Sequence, residues 1–194
     1  MSMSCIEHSW VASRGGVSEL GRELACAAQS DMPILITGAD ADDNRGIAEV
    51  IHRRSRRAGA PFLTIDCAVT SESMLESTLF GCACGGADDA VRGTLGCLER
   101  AHCGTVFIAN IDAMSARLQT RLMQFLDSGE IRRVGDLPVH RKVDVRVMTS
   151  TESNLFAHTA HMSFREDLFY RLNVMHLVIP RVFPPLRNAS HATG

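Results

Sequence analysis

Residues 37–46 read TGADADDNRG, between the apolar run Pro33-Ile34-Leu35-Ile36 and the helical pattern Ile47-Ala48-Glu49-Val50-Ile51. Strand, glycine turn and helix together form the arrangement in which backbone N–H groups at a helix N-terminus collect a phosphate. The spacing for that chemistry is G-x-x-x-x-G-K-[ST]. Its glycines let the backbone close on the anion, its lysine reaches the outer phosphates, and its hydroxyl holds magnesium. With Gly38 as the first glycine, Asp43 stands at the second, Asn44 at the lysine and Arg45 at the hydroxyl. Asp40, Asp42 and Asp43 add negative charge. A unit charge pair ~6 Å apart at an effective dielectric of ~20 interacts by roughly 3 kcal/mol, here as repulsion of a phosphate that Arg45 offsets only in part. Two other readings fit the same residues. Asp40-x-Asp42-x-Asn44 starts like a calcium loop, although the places for its glycine and its bidentate glutamate hold Arg45 and Ile51. A solvated helix cap, with acids at the positive end of the helix dipole, needs no ligand.

A second set of candidates is Cys82 and Cys84, with Cys97, His102 and Cys103 downstream. Zinc sites favour C-x₂₋₄-C pairs over C-x-C, and small buried thiols are the competing reading. His140, His158, His161 and His176 stand apart from one another, and no Ser-His-Asp or Cys-His arrangement emerges. The basic run 52–57 (HRRSRR) could touch nucleic-acid phosphates, but it also closes a predicted helix, where cations suit the dipole. We expect no direct DNA binding.

The elements that carry these residues follow from the apolar pattern. The 194 residues are 45% hydrophobic and 22% charged with a net charge of −2, which suits one globular domain and supplies no global field for nucleic acid or membranes. No apolar run is long enough for a membrane span and no signal peptide is evident. Seven scattered cysteines imply reduced thiols and a cytoplasmic chain. Strands are predicted at 33–37 (PILIT), 62–66 (FLTID), 105–109 (TVFIA), 145–149 (VRVMT) and 175–179 (MHLVI). Most are continuously apolar, as parallel strands covered on both faces are. Helices are predicted at 17–28, 46–57 and 115–127, the last capped by Ser115 and stopped at Gly129, and a hairpin at 131–147. This alternation predicts a doubly wound α/β sheet.

From about residue 17 to 187 the chain resembles the central AAA+ domain of bacterial enhancer-binding activators of sigma-54 RNA polymerase. The resemblance lies in ILITG (34–38), AEVIHRRS (48–55), PFLTIDCA (61–68), LESTLFG (75–81), GTVFI (104–108), LQTRLMQFLDSGEIRRVG (118–135), VDVRV (143–147) and FREDLFYRLNV (164–174). It implies a P-loop-NTPase-like three-layer sandwich with a mainly parallel five-stranded sheet, flanked by tails at 1–16 and 188–194, the latter expected to be disordered. It also implies a ring of subunits that hydrolyses ATP with magnesium to remodel the polymerase. Family members follow the third strand with an Asp-Glu pair, where this chain has Ala109 and Asn110; Asp112 lies two residues on. The sensor asparagine aligns with Glu152. The sigma-contacting loop GAFTGA aligns with Gly85, Gly86, Ala87, Asp88, Asp89 and Ala90. Arg165 and Arg171 align with arginine fingers that reach a neighbour's nucleotide site, against the reading that they pair with Glu166 or Asp167 on the surface. Asp144 and Arg146 are expected to serve the fold. The helical lid of the family, with its second sensing arginine, is not expected after residue 187; neither is a helix-turn-helix, nor a receiver domain before residue 17.

The expectation is a regulator of this type without its own ATPase chemistry. It requires no cofactor and acts through an AAA+ paralogue, itself or the sigma-54 polymerase, away from membranes. The alternatives are an ATP-hydrolysing activator with atypical motifs, which would take ATP and magnesium, and a non-functional gene fragment.

Overall fold

The computed structural model describes residues 17–38, 40–83, 93–135 and 141–179. Helix α1 (Val17–Gln29) turns Leu20, Leu24, Ala27 and Ala28 toward the core. It leads into β1 (Ile34–Thr37), then α2 (Ala41–Arg53) and β2 (Phe62–Asp66). Next come α3 (Glu72–Phe80), a ladder of β3 (Gly81–Cys82) with β4 (Thr94–Leu95), α4 (Cys97–Arg100) and β5 (Thr105–Ala109). A 3₁₀ turn (Ile111–Ala113) precedes α5 (Ala116–Ser128). Ser115 caps α5 by accepting from Leu118 N, and Gly129 ends it in the left-handed region at φ 68°. Strands β6 (Glu130–Ile131) and β7 (Arg141–Lys142) pair antiparallel. Then follow β8 (Arg146–Thr151), α6 (Leu155–Ala160), α7 (Glu166–Leu172) and β9 (Met175–Val178).

Five strands form one sheet in the order β2-β5-β8-β1-β9, every pair parallel. Alternation along the strands divides the core. Leu35, Val106, Ile108 and Val147 face the α3–α5–α7 side, while Ile34, Ile36, Phe107, Ala109 and Met148 face α1 and α2. Both faces of the central strands are therefore buried, which is the reason their sequences read as continuous apolar runs rather than alternating ones. The chain leaves β1 in one direction toward β2 and passes over β1 on the way from β8 to β9. Strand order thus reverses at β1, and in open α/β sheets a crevice forms at the carboxyl ends of the strands where that happens.

The helix expected at 46–57 is instead α2 at Ala41–Arg53. It starts five residues early because Asp40 caps it, accepting from Asp43 N through its side chain. It stops before the rest of the basic run, where Ser55 Oγ donates to His52 O at 2.7 Å. The broad hairpin expected at 131–147 is confined to two residues per strand, and β8 begins at Arg146. The expected tail at 188–194 lies outside the described residues. No described helix is long and apolar enough to cross a membrane.

Candidate functional site at the carboxyl edge of the sheet

Gly38 closes β1 at φ +99°. An added Cβ there would meet Ile179 O at 2.3 Å, so the glycine is fixed by the close approach of the chain just beyond β9. Two residues on, Asp40 accepts from Asp43 N at 2.9 Å through its side chain and from Asn44 N at 2.9 Å through its carbonyl. Asn44, at the lysine position, is fully buried in the first turn of α2, while Arg45 is exposed. The turn is therefore a capped helix start. Among the described residues no group of three or more His, Cys, Asp or Glu is arranged to hold a metal ion.

Beside this turn lies a cavity of about 280 Å³ lined by Ala41, Asp42, Arg45, Thr64, Asp66, Phe107 and Ala109. Its charged lining is one guanidinium and two carboxylates. The strand ends around it are tied to one another. Asn110, in the left-handed region at φ 52°, donates from Nδ2 to Asp66 Oδ1 at 2.9 Å. Asp66 Oδ1 also accepts from Ala68 N at 2.8 Å. Asp112 accepts from Thr151 Oγ1 at 2.6 Å, a bond that holds it against the end of β8. Glu152 is exposed just past that strand end. The Asp66–Asn110 contact was not legible as a site in the sequence, where Asp66 reads only as the last residue of FLTID. Its position at a strand's carboxyl end was the available signal.

Asp43 is partly buried beside Asp40 and Asp42. Burial first, and then those two charges, hold its carboxyl above its ordinary value of 3.8. A raised carboxylate binds its proton more tightly in the folded state, so its effect is to lower stability as pH climbs through and above 3.8. Asp43→Asn is expected to remove that downward slope and to leave the variant more stable than the parent at neutral pH. Urea midpoints at a series of pH values give the comparison, and parallel curves for the two chains would contradict it.

The remaining candidates separate in space. The degenerate sigma-contact positions Gly85, Gly86, Ala87, Asp88, Asp89 and Ala90 lie outside the described residues, as do Cys84 and His140. Cys97 is buried, and burial pushes its thiol up. Cys67 is pushed up to about 12, by burial first and then by Asp66 and Asp112. Cys103 is exposed, and His102 Nδ1 accepts from Asp144 N at 3.2 Å. In the basic run, Arg57 is a structural clasp, with Nε on Asp31 at 2.9 Å and Nη2 on Asp144 at 2.8 Å. Arg53 pairs with Glu49 at 2.7 Å. Arg165 and Arg171 lie along the seam of α5 and α7, roughly half exposed. Arg165 meets Asp167 and Thr120, and Arg171 donates to Leu126 O at 2.9 Å.

A parallel five-stranded sheet with its order reversing at a strand–glycine–helix turn defines an α/β fold of the P-loop AAA+ kind, and the comparisons agree. The sigma-54 interaction domain profile matches residues 11–178, and the chain belongs to that family. It is 42% identical over 172 residues to the HTH-type transcriptional regulatory protein TyrR of Enterobacter agglomerans, covering 88% of this chain and 31% of that one. Regulatory protein AtoC of Escherichia coli is 40% identical over 172 residues, covering 88% and 36%. A crystal structure of NtrX from Brucella abortus in complex with ATP superposes with a TM-score of 0.77 at 30% identity, covering 88% of this chain and 38% of that one. The chain spans about a third of the length of the curated relatives it matches.

Proposed function

We propose that this chain is a sigma-54-regulator AAA+ domain that works without hydrolysing ATP itself, through contacts with AAA+ relatives or with the transcription machinery. One observation carries the reading. In the turn that would cradle phosphate, the amides of Asp43 and Asn44 are already spent on Asp40, and Asn44 is buried where a lysine would reach outward. The rest of the edge supports it. Magnesium bound to nucleotide needs carboxylates and hydroxyls turned toward it. Ala109 offers neither, Asp66 Oδ1 is taken by Asn110 and by Ala68 N, Asp112 Oδ1 is taken by Thr151, and Asp42 and Asp66 add negative charge to the cavity where phosphate would lie. These residues do not fit ATP with magnesium.

Arg165 and Arg171 keep exposed guanidinium groups. We assign them the role of contacting a neighbouring subunit's nucleotide phosphates, where a guanidinium supplied in trans stabilises transferring charge.

Titration with magnesium–ATP tests the reading. A domain that binds at 100 times its Kd gains about 2.7 kcal/mol, a thermal shift of roughly 5–10 °C at this size. The expected curve is flat to millimolar nucleotide, and a saturable shift would refute the proposal. The competing reading, an ATP-hydrolysing activator with atypical motifs, is favoured by the likeness to NtrX, which was crystallised with ATP. It predicts that shift.

A further inference from the structure

We propose that Asp167 is a built-in restraint on Arg165, holding its guanidinium until a stronger anion, the phosphates of a nucleotide on a neighbouring AAA+ subunit, displaces the carboxylate. This rests on the reading above and adds the regulation of that contact.

The two halves of Arg165 are held differently. Its backbone N donates to Gln119 Oε1 at 2.9 Å. Gln119 is itself buried at 1% exposure and donates from Nε2 to Met114 O at 2.7 Å and Ser163 O at 3.1 Å. The base of the residue is therefore rigid. Its head is 44% exposed and fork-bonded to Asp167, Nε to Oδ1 at 3.0 Å and Nη2 to Oδ2 at 2.7 Å, with Nη1 on Thr120 Oγ1 at 3.3 Å. That fork is the geometry a guanidinium offers to phosphate, so Asp167 occupies the donors an incoming phosphate needs. Arg171 is held otherwise. Its Nη2 donates to a neutral carbonyl at Leu126 and its Nε has a single approach of 3.6 Å to Asp127, so no carboxylate grips it through two oxygens. An exposed pair of this kind is weak and displaceable, whereas a phosphate brings more charge and three acceptors. Asp167 thus sets a threshold: stray carboxylates do not capture Arg165, and an ordered phosphate group does.

Asp167→Asn removes the charge and one arm of the fork, yet keeps an oxygen for Leu168 N, which the aspartate accepts at 2.7 Å. The protein, D167N and Arg165→Ala are each titrated into an ATP-hydrolysing paralogue from the same genome while turnover is followed. The parent is expected to change turnover, D167N to do so at roughly two- to five-fold lower concentration, and R165A to lose the effect. A D167N curve superimposed on the parent's, with R165A inactive, would overturn the restraint and leave the reading standing. No effect from any chain would remove both. A partner-free measurement runs alongside: the Arg165 Nε proton is expected to exchange with solvent faster in D167N, and an unchanged rate would overturn the restraint by itself.

Discussion

Replacing Gly38 by alanine is expected to destabilise the domain by about 3 kcal/mol or more. A side chain at φ +99° is strained on any background, and here the new Cβ would lie 2.3 Å from the carbonyl of Ile179. That carbonyl has little room to retreat, since Ile179 N donates to Thr37 O at 2.7 Å and its side chain is fully buried against α2 and β1. Gly46 is the control. It lies within α2, and a Cβ there meets nothing within 4 Å, so Gly46→Ala is expected to stabilise by about 0.5–1 kcal/mol. Urea unfolding of the two variants reads both signs. The pair also separates two uses of glycine in this turn. A glycine kept for phosphate approach would be costly in binding and cheap in stability. The reverse is expected here, and a Gly38→Ala variant within about 1 kcal/mol of the parent would contradict the close-approach account.

Arg146→Ala is expected to cost about 3–5 kcal/mol, because it opens a cavity and strips polar contacts at the amino end of the central strands. Arg146 is 1% exposed, the largest side chain among those fully buried. Its Nη2 donates to Ala27 O at the end of α1, Nε reaches Met32 O at 3.4 Å, and Nη1 has no partner among the described residues. Burial lowers its pKa from 12.5 to about 10, with Asp31 opposing that effect. Removal from water thus sets the charge against the folded state at neutral pH. A base whose folded pKa is lowered loses stability while charged, and the penalty begins to lift only above pH 10. Arg146→Met fills similar volume without charge, so relief of the penalty offsets the lost hydrogen bonds. It is expected within about 1.5 kcal/mol of the parent. Equal losses for the alanine and methionine variants would show that the guanidinium contacts, rather than packing, dominate.

Much of the fold was legible beforehand. The five core strands and the helices α1 and α5 are legible to within two residues, because buried parallel strands and amphipathic helices impose their periodicity directly on sequence. The start of α2 was misplaced for a local reason: alignment with a phosphate loop kept residues 38–45 as a turn, while Asp40 supplies a helix cap. Helix α3 and the short helices α4, α6 and α7 are not legible as such, since they are too brief or too evenly apolar for a clear period. The candidate site divides in the same way. The types at Asp43, Asn44, Ala109 and Asn110 were readable as departures from a phosphate-handling pattern. Their partners were not.

The sequence alone determined which atoms are available at the carboxyl edge: an aspartate just before α2 and two in its first turn, no lysine at position 44 and no carboxylate at 109 or 110. Tertiary structure decided where those atoms are spent. Asp66 lies 44 residues from Asn110, and Asp112 lies 39 from Thr151. Only the parallel register of β2, β5 and β8 brings them within hydrogen-bonding distance. The conformation of Gly38 likewise depends on Ile179, at the far end of the described chain. Side-chain type is a one-dimensional property, whereas hydrogen bonding and close approach depend on distances that the order of strands sets.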